Sequence, residues 1–270
     1  MALYKFRNAS ERSLEILDKG EIWFAGLPTL NDPLEGHIQF ETPNREEYVK
    51  WYIDFLQRLK GKPLSIDDAL KYYKVLMEDD YQYEQLLKIV EESETGYNDD
   101  EEDQPAVLSC SHDDSFSPID NPLMWAYYAD EFKGFAIRFD EKKFFKSLND
   151  LNSTTFFSNK VNYQDKPKQI SFYEHLETHL TRDMSKEIGF SDALITKSSW
   201  WKHEQEHRFL CQTQGAYRFD INAVTAIYFG SRTSDCYKKK VLQILKRKNH
   251  AVDIYDISPR NYAIATKKIS

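Results

Sequence analysis

The sequence predicts an α+β fold, a single domain over 1–270 with a helical insertion in its first half. Three observations carry that expectation. Short stretches of β type, with apolar residues alternating, are spread along the whole chain. Helical periodicities arrive in blocks instead of alternating one for one with strands, which speaks against a doubly wound βαβ sheet. Glycine and proline number only 9 each in 270 residues, so the chain is not a linker-rich array, and no segment repeats. A chain of this length buries a full core without disulfides. Its 17 Tyr, 17 Phe and 5 Trp supply apolar surface that a disordered chain lacks.

Taken in order, "ALYKFR" reads as a strand with Leu3 and Phe6 as candidates to face the core. In "NASERSLEILDKG", Asn8 or Ser10 caps a helix, Leu14, Ile16 and Leu17 form its apolar side, and Gly20 stops it. "EIWFAGLPTLNDPLEG" is a strand and then a loop in which Asn31-Asp32-Pro33 is turn chemistry. From Arg45 to about Val90 apolar residues recur at spacings of three and four, giving a first helix through Leu59. A second helix is capped by Ser65 with Asp68 three residues on, and a third covers "YQYEQLLKIVEE". With the acidic stretch "ESETGYNDDEEDQP", read as an exposed loop, these helices form an insertion over 44–104.

"AVLSCS" is a strand, and "NPLMWAYYADEFKG" a helix with Pro122 in its first turn and Gly134 past its end. "GFAIRFD" alternates as a strand, and "NKVNYQ" gives another. Helical material follows through "ISFYEHLETHLTRDMSKEIGFSDALITK". The remainder is β-rich, "EHRFLCQ", "AVTAIYFG", "AVDIYDIS" and "NYAIATKK", with one helix at "SDCYKKKVLQILKRK".

The formal net charge of −8, with acid concentrated at 91–103, does not advertise a broad nucleic-acid face. The lysines near the C-terminus read as a solvated helix face, with phosphate-backbone contact the lesser option. Three cysteines, none in a CxxC, suit a reducing cytoplasm. No apolar leader or membrane-length run appears, so the expectation is a soluble, cytoplasmic protein with no membrane partner.

Four signatures, "LYKFR…LEILDKGEIWFAGLPTLNDPLE", "VLSCSHD", "PLMWAYYADEFKGFAIRFD" and "KSSWWKHEQEHRFL", resemble a large bacterial family of unknown function often found in phage-defence settings. Its motifs are present as NDPxE, WxxYAxxxxG and WxxExExR. A second resemblance is to ADP-ribosyltransferases. Those enzymes open with a strand of the type "LY-His-x-T", a helix and a strand, similar in layout to "LYKFRNASERSLEILDKGEIWF". Their catalytic Glu stands in an x-x-E or E-x-E context before a short apolar strand, similar to "HEQEHRFL…DINAVTAIYFG". Lys5 occupies the family's histidine position, with Arg7 two residues on. "LSCS" resembles the "S-T-S" strand of arginine-modifying members.

This resemblance implies an ADP-ribosyltransferase-like split β-sheet core and an NAD-dependent transfer to a macromolecule, nucleic acid or protein, by a bacterial toxin or antiphage effector. It also implies an antitoxin or regulatory partner. In such chemistry the bond between nicotinamide and ribose breaks through an oxocarbenium-like state, which a carboxylate on the ribose stabilises. Glu206 is the residue for that role. Glu204, on the same face if the stretch is a strand, is the candidate to orient or deprotonate the acceptor. Lys5, Arg7 and Arg208 are candidates for the pyrophosphate, with Ser109 beside them. Tyr128, Tyr127, Trp125 and Trp200 have the side chains to stack on nicotinamide or line the acceptor site, and Asn31 and Asp32 to border the pocket.

Two other readings stand beside this one. A strand Glu-x-Glu is more often a solvated face than a site, and a catalytically silent sensor or interaction domain would keep the same scaffold. A metal-dependent nuclease would use Asp192, Glu204 and Glu206 with Lys197 or Lys202. His203 and His207 fall opposite the glutamates, and no HExxH or other zinc spacing is present, so no metal is expected.

Overall fold

The computed structural model describes residues 2–32, 35–36, 38–42, 44–99, 105–173 and 193–269. Helices and a mixed sheet make an α+β fold. The chain divides into two compact units: Met1–Pro33, Glu101–Asp165 and Lys197–Ser270 form one, Leu34–Asp100 and Lys166–Thr196 the other.

In the first unit, β1 (Ala2–Arg7) leads into α1 (Glu11–Lys19). The Ser10 hydroxyl accepts from the Ser13 N–H, and Gly20 ends the helix at φ 68°, a conformation glycine adopts without a Cβ penalty. β2 is Glu21–Gly26, and in the sequence the segment Leu34–Asp100 of the second unit comes between it and β4 (Ala106–His112). Beyond β4 come α5 (Pro122–Tyr128), β5 (Phe135–Asp140), α6 (Glu141–Leu151), β6 (Phe157–Lys160) and β7 (Asn162–Gln164). The chain re-enters this unit at β9 (Thr196–Ser198) and continues through a 3-10 turn (Ser199–Glu204) into β10 (Glu206–Cys211). β11 (Gly215–Arg218), β12 (Val224–Phe229), α7 (Asp235–Arg247), β13 (Asp253–Arg260) and β14 (Ala263–Lys268) close the order.

Strand pairing gives the sheet a seam. β10 runs antiparallel along one edge of β4 from Ser111 to Ala106. The opposite edge of β4 is shared: Ala106 and Val107 pair with β2, whereas Ser111 and His112 pair with β1. Between them, among the described residues, Leu108–Cys110 has no strand on that edge. Two half-sheets therefore meet only where Leu3 and Tyr4 touch β4. One is β6-β10-β4-β2-β11, the other β1-β5-β12-β13-β14. Lys5 fills the start of the gap, its Nζ donating to the Ser109 carbonyl at 2.6 Å. A buried carbonyl without a partner is costly, so a side-chain donor stands in for the missing strand.

Alternation along the strands makes two cores. Leu3, Phe135, Ile137, Phe139 and Phe209 pack with α1, α6 and α7 on one face. Tyr4, Phe6, Ala136 and Tyr228 pack with Trp125 and Met124 of α5 on the other. Each large apolar side chain so buried contributes about 1.5–3 kcal/mol.

The second unit holds α2 (Arg45–Lys60), α3 (Ile66–Glu78) and α4 (Asp80–Asp99), with β3 (Ile38–Phe40) parallel to β8 (Lys168–Ile170). Tyr48, Val49, Leu76, Leu86, Val90 and Phe172 make its core. It takes in most of the expected 44–104 insertion and adds 166–196. The third helix was expected to give way at Glu92 to the loop "ESETGYNDDEEDQP"; α4 instead continues to Asp99, and no proline in that extension interrupts it. Residues 100–104 and most of the expected helical stretch after Ile170 lie outside the described residues.

Candidate functional site

The site is built around the start of β10, beside the seam. Glu204 is the last residue of the 3-10 turn, Gln205 has φ 46°, and Glu206 is the first residue of the strand. The two glutamates therefore converge, but not by strand alternation as the sequence suggested. They converge because a left-handed residue reverses the backbone between them. Gln205 is held in that conformation by its surroundings. Its Oε1 accepts from Ser115 N at 2.8 Å and Phe116 N at 3.3 Å, its Nε2 donates to Phe116 O at 2.8 Å, and its carbonyl accepts from His112 N at 2.9 Å. These contacts offset the strain of a non-glycine residue at positive φ.

Both carboxylates are buried, Glu204 at 3% and Glu206 at 6% exposure. Lys197, on β9, bridges them: its Nζ is 2.7 Å from Glu204 Oε2 and 3.5 Å from Glu206 Oε2. The ammonium also lies 4.8 Å from the centre of the Trp201 ring. Arg208 Nη2 donates to Glu206 Oε2 at 2.8 Å. The Tyr128 hydroxyl donates to Glu204 Oε1 and accepts from Asn31 Nδ2 at 2.7 Å. The Glu206 N–H donates to the Tyr163 hydroxyl at 2.7 Å. Two buried anions thus face two buried cations, the condition under which charge is tolerated in an interior.

Burial alone would raise the Glu206 carboxyl. Arg208 and Lys197 outweigh it, with hydrogen bonds from Arg208 and Ser109, and hold the group down at about 2. Burial and the neighbouring Glu204 push the Tyr128 phenol well above its ordinary value, so it serves as a neutral donor. Burial pushes the Cys110 thiol up to about 11, which makes it an inert core residue. Lys5 is pushed down by burial, with Cys110 acting the other way and Arg7 in the same direction.

Of the residues singled out by sequence, the structure brings together Glu204, Glu206, Arg208, Ser109, Tyr128 and Asn31. Lys5 joins them from the seam, committed to the Ser109 carbonyl. Arg7 does not join. The β1–β4 register puts Leu3 opposite His112, and the β4–β10 register puts Ser111 opposite Glu206. Lys5 and Arg7 therefore start from the face opposite Glu206 and Arg208, and the charges Arg7 feels are Arg12 of α1 and Tyr237 of α7. Trp125 is a core residue at 0% exposure whose Nε1 donates to the Ile119 carbonyl, so it is closed to any ligand. Trp200 stands at 86% exposure on the 3-10 turn, and Tyr127 points outward from α5. Asp32 is buried beside Asn31, and Pro33 lies outside the described residues.

The other motif positions have structural reasons too. A Cβ on Gly134 would meet the Arg7 carbonyl oxygen at 2.0 Å, so β1 and the turn after α5 require glycine there. The turn itself places Asp130, Glu131 and Phe132 at positive φ, which ends α5 at Tyr128, earlier than the sequence pattern suggested.

Sequence reasoning missed Lys197 as the hub and Tyr163 as the acceptor for the Glu206 N–H. Lys197 was named only beside a metal. Among the described residues no three His, Cys, Asp or Glu side chains converge as metal ligands. Asp192 lies outside the described residues.

Residues 124–209 match the family model DUF2971, a protein of unknown function. That stretch carries Trp125, Tyr128, Lys197, Glu204, Glu206 and Arg208. No curated protein and no solved structure matches the chain. Among the described residues no helix is long and apolar enough to cross a membrane.

Proposed function

We propose that the protein is an NAD-dependent ADP-ribosyltransferase acting on a macromolecule, as a bacterial toxin or antiphage effector restrained in the cytoplasm by a partner protein. The observation that supports it best is the convergence of Glu204 and Glu206 beside the seam between two half-sheets, with Glu206 held ionised by Arg208 and Lys197. In this reading Glu206 holds the ribose hydroxyl of NAD and stabilises positive charge as the bond from ribose C1′ to the nicotinamide nitrogen breaks. Nicotinamide leaves with the bonding pair. The acceptor nucleophile bonds to C1′, and its proton passes to Glu204. Tyr128 and Asn31 orient Glu204 from the other side.

The pyrophosphate fits less well than the sequence suggested. Arg208 is fully buried on Glu206, Arg7 is on the other face, and Lys5 is bound to Ser109. Lys202 is exposed on the 3-10 turn that carries Glu204. A second reading, a catalytically silent sensor or interaction domain, is favoured by the burial of both carboxylates behind matched cations.

Incubation with labelled NAD and cell extract separates the two. The transferase reading expects nicotinamide release and label transfer, reduced about 100-fold or more in Glu206→Gln. Folding of the variant is checked by its thermal transition, because the substitution also disturbs a buried ion pair. Absence of nicotinamide release from the wild type, or equal rates in a folded Glu206→Gln variant, would leave the silent reading.

A further inference from the structure

We infer that Lys197 is a positioning residue of this site: one buried ammonium, shared by Glu204 and Glu206, sets the spacing of the two carboxylates and keeps Glu206 charged. The inference rests on the transferase reading only for its activity readout.

Three observations carry it. Lys197 is in contact with both carboxylates, at 2.7 and 3.5 Å, whereas Arg208 approaches Glu206 and Tyr128 approaches Glu204. Its side chain is 2% exposed, so water does not screen the interaction. Its position is fixed by the pairing of β9 with β7 and by Trp201, over whose ring the ammonium lies. Glu204 and Glu206 converge on a left-handed turn, and without the bridging cation the Glu206 carboxyl would bind a proton more readily. A carboxylate that must meet a developing cation has to be ionised and fixed before the reaction begins. Lys197 supplies both conditions without touching the reacting atoms.

The test uses the full chain with ¹³C-labelled glutamate. In Lys197→Met, the titration midpoint of the Glu206 carboxyl moves up by about one pH unit or more, a tenfold change in proton affinity. Lys197→Arg keeps the charge and returns the midpoint toward that of the wild type. If NAD is cleaved, turnover in Lys197→Met falls more than its KM for NAD rises, and the acid limb of the rate profile follows the carboxyl midpoint. A folded Lys197→Met variant whose Glu206 midpoint and acid limb match the wild type would overturn the inference. Should Lys197→Met not fold, Lys197→Gln and Lys197→Arg are compared in its place. A midpoint raised in the glutamine variant but not in the arginine variant supports the inference, and equal midpoints in both overturn it. Failure of the wild type to cleave NAD overturns the transferase reading and leaves the titration to decide Lys197.

Discussion

The two faces of β10 bury polar groups in opposite ways. Glu206 and Arg208 leave one face and enter a network in which each charge has an opposite charge within hydrogen-bond distance. His207 leaves the other face, beside Phe209, and its ring centre is 6.0 Å from that of His112. Both histidines are buried, and among the described residues neither nitrogen of either ring has a hydrogen-bond partner. An ion in an interior must be matched, because its desolvation costs several kcal/mol. The His207 imidazole has another course: burial lowers its pKa, so it stays neutral and is accommodated almost as an aromatic. The ionic face is therefore expected to be intolerant of single changes and the histidine face tolerant of them.

Arg208→Met should produce the largest effect. It leaves Glu206 buried with half its compensation, and breaking a buried pair in this way costs about 3–5 kcal/mol. Urea unfolding measures it. The double variant Arg208→Met/Glu206→Gln should cost much less than the two single changes together, because the second removes the charge the first left behind. Strict additivity would mean that the pair is not coupled, and the contrast between the faces would collapse.

Tyr128→Phe should have an intermediate effect. The phenol donates to a buried carboxylate and accepts from Asn31, and loss of a hydrogen bond to a charged group costs about 1.5–3 kcal/mol. The aromatic ring is kept, so the loss reports the hydroxyl alone. A change below about 0.5 kcal/mol in the urea midpoint, with unchanged slope, would show that Glu204 is satisfied without Tyr128.

How much of this was legible beforehand depends on how far the determining contacts lie along the chain. The Ser10 cap, the Gly20 stop and the alternation of β5 are local, and the structure has them where the residues suggested. The convergence of Glu204 and Glu206 was legible in outcome but not in cause. A strand would have aligned them by its period of two, whereas Gln205 aligns them through a left-handed turn held by residues 112–116. Lys197 was not legible, because nothing in "TKSSWW" announces that the 3-10 turn folds a lysine back over both acids. Arg7 was misplaced for a related reason. Alternation along β1 says that Lys5 and Arg7 share a face, but which face depends on the β1–β4 and β4–β10 registers, which join residues about a hundred apart in sequence.

The histidine face should show the smallest effect at neutral pH and the clearest one on acidification. His207→Phe fills a similar volume and should change stability at pH 7.5 by less than about 1.5 kcal/mol. Burial lowers the His207 pKa; Glu141 opposes that, while His112 and Lys160 add to it. A group whose folded pKa lies below its unfolded value stabilises the protein above the unfolded value, here about 6.5. That stabilisation is lost as the pH falls from there through the folded value, because the unfolded chain binds the proton more readily. The wild type should therefore lose thermal stability below about pH 6.5 with a steeper slope than His207→Phe. Parallel slopes for the two proteins between pH 7.5 and 5 would show that His207 gains its proton as easily inside the fold as outside it. The two faces of β10 would then not differ in how they handle charge.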